Sequence, residues 1–212
     1  MLYLRDRNNI SITTKIKKMK KILPLLILLI TATSASAQLF KGRDKTLDKP
    51  EYQIGAVPVV NGKVIFEESF AATGDSKEIT RKAQQWIKKR FSGPEIIKHN
   101  IYDKEKPGTL IVKSEEYITF KKKTFVLDRT RITYFLDIEP KDNACTMRMY
   151  RITYWYDEEY KGGEHFTAEQ YITDDEAFNP KKTKLLKKPG KFRIKTIDLK
   201  NNLVNELKKA LN

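Results

Sequence analysis

Few residues of this chain stand at spacings typical of a catalytic or metal site. The two histidines, His99 and His165, have no second histidine or cysteine at zinc-motif spacing. The single cysteine, Cys145, would need a histidine close in space and a lowered pKa to act as a nucleophile. We therefore expect no metal and no cofactor. The alternative is an enzyme without a local motif, such as a hydrolase whose dispersed site combines one of these three residues with a carboxylate in a pocket.

Adjacent carboxylates are the other residues with chemical potential. They occur at Glu115-Glu116, Glu158-Glu159 and Asp174-Asp175. Neighbouring residues of a strand point to opposite faces, so such pairs rarely converge on one substrate. We interpret all three pairs as solvated charge.

The chain is strongly basic, with a net charge of +15 over 212 residues. This charge favours anionic partners such as lipid head groups, polyanionic glycans or nucleic acid. The lysines are scattered along the chain, however, so an ordinary lysine-rich surface explains the same number.

Residues 1–37 have the three parts of a signal peptide. Two lysines after Met19 precede an apolar run at 22–30, and a small-x-small cleavage pattern ends at Ala37. The run is about half as long as a bilayer-spanning helix, so we expect cleavage before Gln38 and no stable membrane span afterwards. Translation is predicted to begin at Met19. Because no cysteine lies near the cut, we expect a periplasmic or secreted protein without a lipid anchor.

The remaining chain is predicted to form one α+β domain. We expect a flexible lead-in at 38–57, a core domain at 58–156, a charged loop region at 157–190 and a C-terminal helix at 191–212. The Asn61-Gly62 pair predicts a tight hairpin turn.

Apolar periodicity gives the order strand, helix, four strands, helix. A capping-box pattern at 75–78 opens the first helix, and alternating apolar residues at 110–112, 118–120 and 132–138 predict strands. The last strand, 145–156, changes its apolar phase, which predicts a β-bulge near Tyr150–Arg151. Consecutive strands imply an antiparallel sheet of about five strands, with both helices on one face.

The face away from the helices is the candidate binding surface. It combines basic and aromatic side chains, which can stack on rings and pair with anions. The same pattern is also typical of a half-solvated sheet face with only a structural role. The candidate residues are Tyr117, Thr119, Lys121, Arg131, Thr133, Phe135, Arg148 and Tyr150.

Several segments resemble one known family. They are 58–66, Trp86–Phe91, Glu116–Phe120, Arg131–Tyr134 and Arg151–Tyr156. These segments are similar to the exported domain of unknown function 4468, which has a TATA-binding-protein-like fold. The resemblance implies a curved antiparallel sheet with helices on its convex side, and it implies no activity.

Three functions follow as hypotheses. The first is a non-enzymatic binding or interaction module of the periplasm or cell envelope, with an unidentified ligand or protein partner. The second is the dispersed hydrolase. The third, nucleic-acid binding, is not expected, because the leader predicts export and a shared fold does not carry function.

Overall fold

The computed structural model describes residues 49–102, 108–124 and 126–212. These residues form one antiparallel sheet of seven strands and three α-helices. The strands are β1 (Val59–Val60), β2 (Lys63–Ala71), β3 (Ile96–Tyr102), β4 (Leu110–Lys123), β5 (Val126–Lys141), β6 (Ala144–Tyr156) and β7 (Glu164–Thr167). The helices are α1 (Ser76–Arg90), α2 (Asp174–Ala177) and α3 (Lys187–Leu211), and a 3-10 turn at Pro50–Tyr52 precedes β1.

The predicted leader, residues 1–37, and the first part of the lead-in lie outside the described residues. Within the described ranges, no helix combines the length and apolar content needed to cross a bilayer.

The strands lie in the order β1-β2-β6-β5-β4-β3, and β7 also pairs with β6. β2 pairs with β6 from Ala144 to Tyr150, and β7 pairs with it from Thr153 to Tyr156. Between these two stretches Arg151 adopts a φ of 52°, and the register with β5 shifts between Thr133 and Phe135. The predicted bulge is therefore confirmed. The Asn61-Gly62 turn is confirmed as well, with positive φ at both residues.

Helix α1 begins where the capping pattern predicts. The Asp75 carboxylate accepts a hydrogen bond from the backbone N–H of Glu78 at 2.7 Å, which satisfies one of the free donors of the first turn. Its buried stripe is Ile79, Ala83, Trp86 and Ile87. The helix therefore lies with its apolar face on the sheet, and Lys77, Lys88 and Lys89 are exposed to water.

Helix α3 begins at Lys187, four residues before the predicted start. Pro189 falls in its first turn, where the missing N–H has no helical partner to lose. Leu203, Val204, Leu207 and Leu211 are buried along its inner face.

One sheet face and these two helices enclose the main core. β5 shows the division clearly, because Ile132, Tyr134, Leu136 and Ile138 are fully buried beneath the helices. The alternate residues of β5 face the other way. We call that second face, opposite α1 and α3, the open face.

The fold class is the predicted one, an antiparallel sheet with helices on one face, but the strand count is not five. The short strands β1 and β7 lie at the edges, and β3 was not predicted at all. The two strands predicted at 110–112 and 118–120 are one strand, β4.

The segments on either side of the core also differ from the prediction. The expected flexible lead-in contains Tyr52 and Val57, which are 3% and 4% exposed. The fully buried Arg193 holds this segment in place by donating to the carbonyls of Tyr52 and Gln53. It also donates to the Ile172 carbonyl at 2.8 Å, so it fixes part of the region predicted as a charged loop.

Candidate functional site

The open face is formed by β3, β4, β5 and β6, and directly opposed residues share it. Phe135 on β5 lies opposite Lys113 on β4 and Tyr150 on β6. Arg131 lies opposite Tyr117 and Trp155 in the same two neighbouring strands. The cross-strand register thus gathers aromatic and basic side chains into two groups.

The first group is centred on Phe135. Its ring lies 5.7 Å from the ring of Tyr150 and 6.4 Å from that of Tyr102, measured between centroids. We call Tyr102, Phe135 and Tyr150 the aromatic platform. The Tyr150 hydroxyl donates to Asp137 at 3.0 Å, which fixes one end of the platform.

Two cations flank this platform. The Lys113 ammonium lies 5.8 Å from the Phe135 ring centroid, and the Arg151 guanidinium lies 5.3 Å from it. Within the part of the chain that the structure describes, neither cation makes an ion pair with a carboxylate. Both positive charges therefore remain available next to a surface on which a planar group can stack.

Arg148 contrasts with these two cations. It pairs with Glu67 at 2.5 Å and lies within 4 Å of Asp137 and Glu139. The hydrogen bond to Glu67 is the main reason why the pKa of Arg148 is raised. Its charge is therefore compensated within the protein.

The second group is centred on Arg131. Its guanidinium lies 4.5 Å from the Trp155 ring centroid and forms ion pairs with Glu115 at 2.8 Å and Glu158. Burial lowers the pKa of Arg131, but hydrogen bonds and these nearby carboxylates outweigh it and raise the value. The Tyr117 hydroxyl donates to the same Glu158. We call Arg131, Glu115, Glu158 and Tyr117 the arginine cluster.

Two aromatic contacts extend this cluster. The Arg129 guanidinium stacks 3.8 Å from the Tyr117 ring centroid, and the His165 ring stacks 4.9 Å from that of Trp155. These contacts occupy the faces of both rings, so the arginine cluster is largely satisfied within the protein.

The structure places most of the predicted candidate residues on the open face. Tyr117, Thr119, Arg131, Thr133, Phe135, Arg148 and Tyr150 all lie there by strand register.

Lys121 was predicted on the open face and is not there. The register of β4 shifts between Thr119 and Lys121, so Lys121 lies opposite Asp128. The Asp128 carboxylate accepts from Lys191 of α3 at 2.8 Å, which places this pair on the helix side.

Sequence reasoning missed Tyr102, Lys113, Arg151 and Trp155. Tyr102 belongs to the unpredicted strand β3. Arg151 and Trp155 follow from the predicted bulge, because the extra residue moves the later odd-numbered residues to the open face. The predicted bulge therefore indicated that odd-numbered residues after it face away from the helices. The predicted candidate residues of this strand nevertheless ended at Tyr150.

The candidate catalytic residues do not converge. His99 lies on β3 against Phe91 on the helix side, whereas His165 stacks on Trp155 of the open face. Cys145 lies on β6, three strands away from β3 or roughly 14 Å across the sheet. It is fully buried, and burial raises the pKa of its thiol to about 12. No group of three or more metal-ligating side chains occurs among the described residues.

A concavity lies on the helix side of the sheet. It has a volume of about 730 Å³ and is bordered by α1, β4 and α3, with Arg90, Glu116 and Glu206 in its wall. Glu116 is 4% exposed, which contradicts its interpretation as solvated charge. Its oxygens accept from Arg90 at 2.8 Å and from the Tyr134 hydroxyl. Burial, with the charge of Glu116, raises the pKa of Tyr134 well above its ordinary value. Arg90, Glu116 and Tyr134 therefore satisfy one another's charges and hydrogen bonds.

Comparison with known proteins identifies the fold. Residues 66–155 match the model of a domain of unknown function (DUF4468) with TBP-like fold. A crystal structure of a DUF4468 family protein from Bacteroides ovatus is 30% identical, with a TM-score of 0.70 over 81% of this chain and 96% of that one.

A crystal structure of a TBP-like protein from Parabacteroides distasonis is 25% identical, with a TM-score of 0.60. That match covers 73% of this chain and 96% of the other. No curated protein matches this chain significantly. The match to the Bacteroides ovatus protein extends over nearly its whole length, and this chain therefore belongs to the DUF4468 family, the domain of unknown function with the TBP-like fold.

Proposed function

We propose that this protein is a non-enzymatic binding module of the periplasm or cell envelope, and that its open face holds the ligand. The observation that carries the proposal is the aromatic platform with two cations, Lys113 and Arg151, that lack a carboxylate partner among the described residues. A folded protein gains little from such an arrangement, since exposed cation–π contacts contribute only about 0.5–1 kcal/mol.

The side chains of the platform favour a ligand that has both a ring to stack and a negative charge. Phe135 and the two tyrosines offer ring faces, and the two cations attract negative charge. A polyanionic glycan provides both features, because sugar rings stack on aromatic side chains and acidic groups pair with cations. The envelope location rests on the predicted leader, which would bring the domain to such polymers.

Binding can be measured on immobilised heparin, a polyanionic glycan, with a neutral glucan as the comparison. We expect retention of the wild-type protein on heparin, and its loss in Phe135→Ala and Lys113→Met. A salt gradient then reports the ionic share of the interaction, which decreases as salt screens the charges.

Matched controls exist elsewhere in the chain. Tyr160 is an exposed ring with the Lys161 ammonium 5.2 Å from its centroid, outside the platform. Tyr160→Ala and Lys161→Met therefore remove the same chemical pair and should leave retention unchanged. Equal loss in both pairs of variants would show general charge attraction and refute a role for the platform.

Nucleic acid is a polyanion that also stacks, but the predicted export argues against it as the ligand. Duplex DNA should consequently show no shift that depends on Phe135, even at low salt, where phosphate contacts are strongest. A shift abolished by Phe135→Ala would replace the glycan proposal.

A further inference from the structure

The hairpin between β4 and β5 extends beyond the rest of the sheet. β3 pairs with β4 only up to Glu116, and β6 pairs with β5 only from Thr130 onward. The two strands continue to pair with each other as far as Lys123 and Val126. Among the described residues, the outermost part of this ribbon has no neighbouring strand on either side.

This end of the ribbon is both apolar and basic. Val126 and Leu127 are 47% and 54% exposed, and Lys121, Lys122 and Lys123 lie opposite or next to them. We call these five residues the hairpin tip. The nearest acid in the register is Asp128, and Lys191 already pairs with it at 2.8 Å. The three lysines therefore give the hairpin tip an uncompensated positive charge.

The base of the ribbon is anchored. Phe120 packs on Phe192 of α3, with 4.5 Å between ring centroids, and Asp128 is held by Lys191. The hairpin tip is therefore presented at a fixed position relative to the helices.

Lysines alone on a free strand edge have a structural explanation, because they discourage pairing with other chains. Exposed Val126 and Leu127 have the opposite effect, since they would promote such pairing. Apolar side chains surrounded by lysines at a projecting point are instead typical of surfaces that dock on anionic membranes.

We propose that the hairpin tip docks the protein on an anionic lipid surface, with Val126 and Leu127 entering the interface and the three lysines contacting acidic head groups. The site is separate from the aromatic platform and independent of the glycan proposal.

A location-specific probe tests this docking. Leu127→Cys can be labelled with an environment-sensitive nitrobenzoxadiazole dye, because the only native thiol, Cys145, is fully buried. We expect increased emission with phosphatidylcholine–phosphatidylglycerol vesicles and no change with phosphatidylcholine alone. Val60→Cys is the control, because Val60 is exposed to a similar 50% but lies on β1, at the opposite edge of the sheet from β3.

A probe at position 127 is preferable to sedimentation, since the apolar run at 22–30 would bind vesicles by itself in the full chain. An equal response at positions 60 and 127, or no response at 127, would overturn the proposal. So would an equal response to neutral vesicles.

Variants that remove charge provide a second test of the docking proposal. Replacing Lys121, Lys122 and Lys123 by Gln in the labelled protein should lower its affinity for the anionic vesicles, measured by titration of the emission, on the order of a hundredfold. Replacing the exposed Lys77, Lys88 and Lys89 of α1 removes the same charge elsewhere and should have a much smaller effect. If the two triple variants weaken binding equally, net charge rather than the hairpin tip accounts for it, and the inference is wrong.

Discussion

Glu115 and Glu116 follow one another on β4 and point to opposite faces of the sheet. Each forms an ion pair with an arginine at 2.8 Å, Glu115 with Arg131 and Glu116 with Arg90. The side chain of Glu116 is only 5% exposed, whereas that of Glu115 is 25% exposed. The same chemical pairing therefore occurs at a nearly buried carboxylate and, one residue away, at a partly solvated one.

The comparison shows how differently the two faces depend on their ion pairs. A buried carboxylate that loses its arginine leaves an uncompensated charge, so the helix side depends on its pair for folding. On the open face water can replace a lost partner, so side chains there are freer to serve a ligand. The four predictions below test this difference.

The largest effect is expected for Glu116→Ala. It removes the acceptor of the Tyr134 hydroxyl and leaves Arg90 with the half-exposed Glu206 at 3.4 Å, which should cost about 3 kcal/mol. Urea unfolding followed by circular dichroism measures the change. A loss below about 1 kcal/mol would mean that Arg90 and Tyr134 find other partners.

Arg131→Ala should cost less, about 1–2 kcal/mol, because its carboxylate partners are partly solvated. Arg129→Ala is the matched control, since Arg129 stacks on Tyr117 and has no ion pair among the described residues. We expect a change of about 0.5 kcal/mol or less for the control. If Arg131→Ala were as costly as Glu116→Ala, the two faces would not differ as described.

The dryness of the helix side should also appear in the pH dependence of stability. Burial raises the pKa of Cys145 from 9.0 to about 12, so the folded thiol stays protonated where the unfolded thiol ionises. Its contribution is complete below pH 9 and is lost as the pH rises from there to about 12.

Urea unfolding at several pH values measures this contribution, with Cys145→Ala as the reference. The difference in unfolding free energy between the two proteins should change by about 1 kcal/mol per pH unit above pH 9. Identical pH dependence in both proteins would show that water reaches the thiol.

The smallest effect on folding is expected at the platform. Lys113→Met removes one half-buried cation that has no ion pair among the described residues, and it should change the unfolding free energy by about 0.5 kcal/mol or less. Together with lost retention on heparin, this result would separate binding from stability. A loss above about 2 kcal/mol would make Lys113 a structural residue.

The sequence predicts best those strands and helices whose two faces differ most in apolar content. β5 was visible because four alternate residues are fully buried, and α1 because its cap and its apolar stripe are local. β3 was missed because it is an edge strand, and Ile97 and Ile101 on it are 40% and 46% exposed. An edge strand with both faces wet carries little apolar alternation.

The candidate site was predictable in part for a related reason. Phe135 and Arg131 follow from the alternation of β5 alone. The roles of their neighbours depend on long-range partners, as when Glu158 pairs with Arg131, 27 residues earlier in the sequence. Lys121 was misplaced because the register shift after Thr119 has no apolar phase change to reveal it.

The extra residue at Arg151 also has a consequence for how relatives of this protein are aligned. Before it, odd-numbered residues of β6 face the helices, as Met147 and Met149 do; after it, the even-numbered Ile152 and Tyr154 face them. If an alignment gap were misplaced by one position here, buried residues of one protein would be aligned with exposed residues of the other for the rest of the strand. Trp155 would then be compared with core positions, and surface differences among family members would be mistaken for changes in packing.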